Sequence, residues 1–197
     1  MARRSDHTKE QLELIIIDAG WNIIKKEGFS NFSARGIAKE IGYSVGTVYN
    51  IYGSHDNLIL HINARTLDHW YEEIVKTLKN KDNADIYVLA EQYINYSREH
   101  YNEWMALFEH NMGRDENVPE WYMEKMNRFF RIIEDMLMPL AKNNKEEATK
   151  IAKVIWAGIH GICILSLSKK LELVGAGSPK ELARSFIENY LRGIENE

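Results

Sequence analysis

"IGYSVGTVYNIYGSHDNL", Ile41 to Leu58, places three glycines, three serines or threonines and three tyrosines within eighteen residues. Their order is informative. Ser33 stands where it can cap a short apolar-periodic stretch, "ARGIAKEI", and Gly42 stands where that stretch must stop. Ser44 follows almost at once and can cap a second stretch, "VGTVYNIY", which Gly53 ends. The spacing predicts two short helices across a turn of Gly42 and Tyr43, with Ile37, Ala38, Ile41 and Val48 as their seam.

Working upstream, "TKEQ" at Thr8 is a capping box in which the Thr8 oxygen and the Gln11 amide satisfy each other's free N–H groups. Leu12, Ile15, Ile16, Ala19 and Ile23 then recur at three- and four-residue spacing until Gly28. A longer helix bracing two short ones across a glycine turn is the layout of a helix-turn-helix unit, whose second short helix enters the major groove of DNA.

Downstream, Ser54 can cap a long helix running through Leu58, Ile62, Leu67 and Ile74 to about Leu78, and "KNKDNAD" reads as a linker. Further helices are expected at about 84–101, 104–112, 118–141, 145–169 and 178–194, the last opened by the capping box "SPKE". The stretch Val154 to Leu167 is apolar on nearly every side, so it should be buried all round. It is short of the roughly 20 residues of a membrane span. A second subunit is the expected cover for its outer face, which predicts a homodimer through the last two helices and no membrane partner.

Composition sets the frame for these elements. The chain has 197 residues, 45% apolar and 27% charged, with three prolines, which favours a folded helical protein over a disordered one. A single cysteine, Cys163, excludes an intramolecular disulfide and a multi-cysteine zinc site and fits a reducing compartment, so a cytoplasmic location is expected. The net charge of −4 does not advertise nucleic-acid binding. Through Leu60, however, seven basic residues balance seven acidic ones, and the remainder carries the whole deficit.

The stretch "AGWNIIKKEGFSNFSARGIAKEIGYSVGTVYNIYGSHDNLI" resembles the N-terminal pattern of the tetracycline-repressor (TetR) family of bacterial transcription regulators, through Gly28, Ser33, Ile37, Ala38, Gly42, Ser44, Gly46, Thr47, Tyr49, Ser54 and Leu58. "WAGIHG", Trp156 to Gly161, is similar to a C-terminal subclass marked by Trp, His and Gly. The resemblance implies an all-α homodimer: a three-helix DNA-binding head, residues 1–53, followed by a helical-bundle regulatory body, residues 54–197, that binds an effector and dimerises. Its partners would be double-stranded DNA bearing a palindromic operator and an unidentified small molecule, and the commonest behaviour in the family is repression relieved by the effector.

The DNA-binding set expected is Arg35, Ser44, Val45, Gly46, Thr47, Tyr49, Asn50, Ser54 and His55. Gly46 lets the backbone approach the sugar-phosphate wall, Thr47 can bond a phosphate or base edge, and Tyr49 can reach a phosphate. Val45 and Asn50 lie on the face that could see bases. Lys25, Lys26, Lys39 and an Arg3–Arg4 arm could add phosphate contacts. Tyr52 is expected in the core. Two positions depart from the family pattern: His55 replaces the usual lysine, and Ile51 replaces a frequent histidine or tyrosine.

The body is rich in large adaptable side chains. Trp104, Phe108, Met112, Trp121, Phe129, Trp156 and His160 are the candidates for an effector site. None of the seven histidines has a glutamate three residues before it, so the paired Glu-x-x-His of di-iron bundles is absent and no metal or cofactor is expected. No nucleophile, base and orienter set is visible, and "GAGS" at Gly175 lacks the lysine of a phosphate loop. The expectation is a regulator with no catalytic residues. The alternatives are an all-helical enzyme, or a protein-interaction module, carrying a helix-turn-helix head.

Overall fold

Thr8 opens the first helix with the reciprocal pair its sequence predicts: the Gln11 N–H donates to Thr8 Oγ1 at 3.3 Å and the Thr8 N–H to Gln11 Oε1 at 2.9 Å. The computed structural model describes residues 7–80, 85–111 and 118–196. Among them the regular elements are helices: α1 Lys9–Glu27, α2 Ala34–Ile41, α3 Val45–Tyr52, α4 His55–Lys79, α5 Ile86–Glu99, α6 Tyr101–Glu109, α7 Glu120–Leu137, α8 Lys145–Leu167, α9 Lys170–Leu173 and α10 Pro179–Glu195. The fold is therefore all-α, with a helix-turn-helix head at the N-terminus and a helical bundle after it.

Contacts divide the chain into two compact units, one made of Met1–Trp70 and His100–Met123, the other of Tyr71–Glu99 and Glu124–Glu197. In the first, Leu12, Ile16 and Ile24 of α1 pack with Ile37 and Ala38 of α2, Val48 of α3 and Leu58, Ile59 and Ile62 of α4. Each such isoleucine contributes roughly 1.5–3 kcal/mol on burial. Gly20 permits the approach: a Cβ there would lie 2.4 Å from Ile62 Cδ1 and 3.0 Å from Ile37 Cδ1. The α1 stripe differs slightly from expectation, since Ile24 is fully buried while Ile15 and Ile23 are half-buried at its edge.

In the second unit α5, α8 and α10 pack together. Ile151, Ala152, Ile155, Ile159 and Cys163 form the inner side of α8, and Ala183 and Ile187 that of α10. Gly158 receives the Phe186 ring, to which an added Cβ would come within 2.3 Å. Within the single chain α8 is buried along one side only, which leaves open the outer face that a second subunit is expected to cover. Val154 is 37% and Leu165 45% exposed, Ala157 is exposed, and the space beside Gly161 is open. At 23 residues α8 is long and apolar enough to cross a bilayer by length and composition, although Lys145, Glu146, Glu147, Lys150 and Lys153 load its first half with charge.

Other differences have local causes. The helix expected to reach Ala141 ends at Leu137, because Pro139 lacks an N–H and disfavours helical backbone at Met138. Lys142 and Asn143 turn the chain through left-handed φ of 51° and 62°, and the Asn144 side chain then caps α8 by accepting from the Glu146 and Glu147 N–H groups. The single-turn α9 was not expected. "GAGS" is a connector, as predicted, and the Glu181 carboxylate accepts from the Ser178 N–H at 3.4 Å in the predicted box.

Candidate nucleic-acid interface

Ser33 Oγ accepts from the Gly36 N–H at 3.0 Å, which starts α2, and Gly42 ends it in the left-handed region at φ 74°, ψ 26°. The Tyr43 N–H returns to the Ala38 carbonyl at 2.9 Å, so the turn closes on itself. Ser44 Oγ then accepts from the Thr47 N–H at 3.1 Å and shares a hydrogen bond with Thr47 Oγ1 at 2.9 Å. Both hydroxyls are thus fixed at the start of α3 on an exposed surface. Each still has lone pairs or a proton for an outside partner.

Along α3, Gly46, Tyr49 and Asn50 are exposed, Thr47 is half-buried, and Val45 is half-buried against the core. Tyr49 makes no hydrogen bond to the described residues. Tyr52 does the opposite: it is buried, its hydroxyl donates to the Glu13 carbonyl at 2.9 Å, and burial pushes its pKa up. One helix thereby presents Tyr49 outward and anchors itself by Tyr52. Arg35 and Lys39 on α2 and Lys25 and Lys26 on α1 are exposed, with Lys25 Nζ 4.9 Å from the centre of the Trp21 ring. The Arg3–Arg4 arm lies outside the described residues.

Gly53 ends α3 at φ 75°, and only Ser54 separates it from α4. Ser54 Oγ accepts from the Asn57 N–H at 3.0 Å, leaving the His55 and Asp56 N–H groups without intrahelical partners. Such a terminus attracts an anion. His55 is exposed with its ring 5.6 Å from that of Phe32, and the Asp56 carboxylate is held by His110 Nε2 at 2.8 Å.

The body candidates fall in both compact units. In the first, Trp104 is fully buried and packs on Phe108 at 4.7 Å between ring centres, while Trp121 is 36% exposed and stacks on His61 at 4.5 Å. In the second, Trp156 stacks on His160 at 5.7 Å and meets Phe130 edge-on, and Phe129 meets Tyr71 edge-on. His160 Nδ1 and the Tyr93 hydroxyl share a hydrogen bond of 2.9 Å, and burial lowers the His160 pKa. Met112 lies outside the described residues.

Two family patterns cover most of this architecture: "Bacterial regulatory proteins, tetR family" matches residues 16–62, and "Tetracyclin repressor-like, C-terminal domain" matches residues 86–190. The second alone spans more than half of the chain. The protein belongs to the TetR family of bacterial regulatory proteins. A TetR-type regulatory function follows from that membership.

Among curated proteins, the HTH-type transcriptional regulator PksA of Bacillus subtilis (strain 168) is 36% identical over 59 residues, a segment covering 30% of this chain and 28% of PksA. The match spans little more than a quarter of that relative's length. Solved structures extend the likeness of fold over the whole TetR chain. A protein of unknown function from Rhodococcus sp. RHA1 superposes with a TM-score of 0.73 at 15% identity, covering 98% of both chains. A TetR-family transcriptional regulator from Streptomyces coelicolor gives 0.62 at 15% identity over 92% of this chain and 98% of its own. The TetR-family regulator PfmR of Thermus thermophilus gives 0.55 at 16% identity over 90% and 97%.

Sequence reasoning missed three features of this TetR head. His110 and Asp56 lie 54 residues apart, and no local pattern pairs them. His7 Nδ1 meets the Tyr43 hydroxyl at 2.8 Å, tying the approach to α1 to the turn of the reading unit. Asn102 Nδ2 donates to the Lys25 carbonyl at 3.0 Å, so α6 packs into the head rather than standing apart from it.

Proposed function

We propose that the protein is a dimeric transcriptional repressor that binds a palindromic operator and is released from it by a small-molecule effector. Residues 1–53 read DNA, and residues 54–197 bind the effector and dimerise. The observation that carries this reading is α3: a short helix capped by Ser44 that exposes Gly46, Tyr49 and Asn50 on one surface, next to the α4 N-terminus at Ser54 and His55. Phosphate contacts come from Tyr49, Ser54, His55 and Arg35, and base-edge contacts from Val45, Thr47 and Asn50, with Ser44 fixing the helix start.

Exposed Val154, Ala157 and Leu165 on α8, with open space beside the half-buried Gly161, support a dimer closed by α8 and α10. "WAGIHG" supports placement in the Trp-His-Gly subclass, and Gly158 inside it is fitted to Phe186. A two-fold dimer sets two copies of α3 in successive major grooves, about 34–36 Å apart. An effector that binds better to a body with another head separation lowers operator affinity by that difference in binding. The long α4 is the lever. The reading involves no catalytic step and places the protein in the cytoplasm with DNA, effector and its own copy as partners.

The test is in-vitro selection of random duplex DNA by the purified full chain at fixed, moderate salt. An enriched inverted repeat with half-sites about one helical turn apart is the expected result. Sequence-blind, salt-sensitive retention alone would sink the proposal.

A further inference from the structure

α6 buries Glu103 to 3% exposure, and its Oε1 is shut off from solvent without a hydrogen-bond partner among the described residues. His100 Nδ1 lies 3.7 Å from this oxygen, beyond hydrogen-bond length, and carries charge only when protonated. On α4, Asn63 is 1% exposed. Its Nδ2 donates to the Ala106 carbonyl at 3.2 Å, one turn along α6 from Glu103, while its Oδ1 finds no donor. Two orphan acceptors therefore occupy neighbouring positions on α4 and α6, inside the first compact unit.

Burying a carboxyl or amide oxygen without a donor is penalised. An unpartnered buried polar atom calls for an explanation, and a ligand or ordered water that completes it is one. We propose that Glu103 and Asn63 form the polar end of an effector site, and that the effector is an organic cation bearing N–H donors on a flat apolar group, of the arylamidinium kind. The inference rests on the reading of the protein as an effector-released regulator and names the class of its effector.

Both orphans are acceptors, so they select donors, and the carboxylate selects positive charge and repels anions. Tyr122, 7% exposed and hydrogen-bonded to the Asn63 side chain, supplies an aromatic wall. Burial pushes its hydroxyl up to about 12, so at neutral pH it stays an uncharged phenol. Its ring face favours a cation over a neutral ligand of the same shape. Trp104 and Phe108, large apolar side chains, pack together on α6, the helix that carries Glu103.

The full chain is titrated with benzamidinium, benzyl alcohol and benzoate, read by calorimetry and by tryptophan fluorescence. Saturable binding of benzamidinium is expected, with benzyl alcohol weaker by roughly tenfold or more and benzoate not bound. Glu103→Gln removes the preference for benzamidinium over benzyl alcohol. Glu103→Asp keeps the preference with weaker binding. Absence of saturable benzamidinium binding, or unchanged binding in Glu103→Gln, overturns the inference. The selected operator separates the two readings. If an inverted repeat is bound and benzamidinium fails to bind, the cation class is wrong and the regulator stands; if benzamidinium binds through Glu103 and no repeat is selected, the regulator reading is wrong and the site stands.

Discussion

At Gly46 an added Cβ would meet nothing nearer than Ser44 Oγ, at 3.6 Å, so alanine fits the free protein without a clash. Gly46→Ala should leave the thermal midpoint unchanged or raise it, by up to about 1 kcal/mol of stability. If the α3 backbone runs against a phosphate wall, the same methyl weakens operator binding by about tenfold, readable by mobility shift, whereas equal affinity would place the wall elsewhere. His160 gives a second residue-scale test. Its folded-state pKa lies below the unfolded 6.5, so the unfolded chain binds the extra proton. The His160 contribution to stability is therefore present above about pH 6.5 and lost as pH falls toward the depressed folded value. His160→Gln should flatten that part of the profile in chemical denaturation at pH 5 and pH 7.

Residue by residue, the sequence made caps legible because a cap is decided within three positions: Thr8, Ser33, Ser44 and Ser54 each accept the N–H three residues on. It also made Tyr52 legible as a core residue, though not the Glu13 carbonyl it bonds. The His110–Asp56 bond and the orphan acceptors on Glu103 and Asn63 were illegible, since they arise only when α4 and α6 meet.

For whole elements, two glycines three positions apart on α8 make opposite predictions. Gly158→Ala drives a methyl into the Phe186 ring and should cost about 1–3 kcal/mol through displaced packing between α8 and α10. Gly161→Ala meets no atom of the described residues within 4 Å beyond its chain neighbours and its own helix backbone, and should leave the single-chain fold intact while weakening self-association, measured by sedimentation. Helix positions were readable because 3.6-residue periodicity and glycine stops recur. The end of α7 and the break between α8 and α9 were not, because Pro139 and the left-handed backbone at Lys169, φ 58°, override a periodicity that runs on past them. What covers the outer face of α8 was not legible either, because apolar residues report which faces avoid water, not which chain covers them.

For the molecule as a whole, the predicted assembly is open to a single charge. Leu165, 45% exposed on α8, should tolerate glutamate in the folded chain. Leu165→Glu should nevertheless shift the protein to monomer in sedimentation and abolish cooperative binding to the inverted repeat, because like charges then face each other across a two-fold axis. A dimer unaffected by this change would put the interface on another surface. The family was legible early because the reading head is a short run of local signals. The effector was not, because its site is assembled from side chains that the sequence scatters.

The junction of α3 and α4 has a mechanical consequence. Only Gly53 and Ser54 lie between the helices, and the Tyr52 carbonyl accepts both the Ser54 N–H at 2.9 Å and Asn57 Nδ2 at 2.8 Å. A joint clamped on both sides has no backlash. The reading helix cannot swivel by itself to suit a badly spaced site, so tolerance for extra base pairs between half-sites must come from the distant body. One inserted base pair should then be as damaging as a mutated contact, because it asks the stiffest part of the linkage to bend.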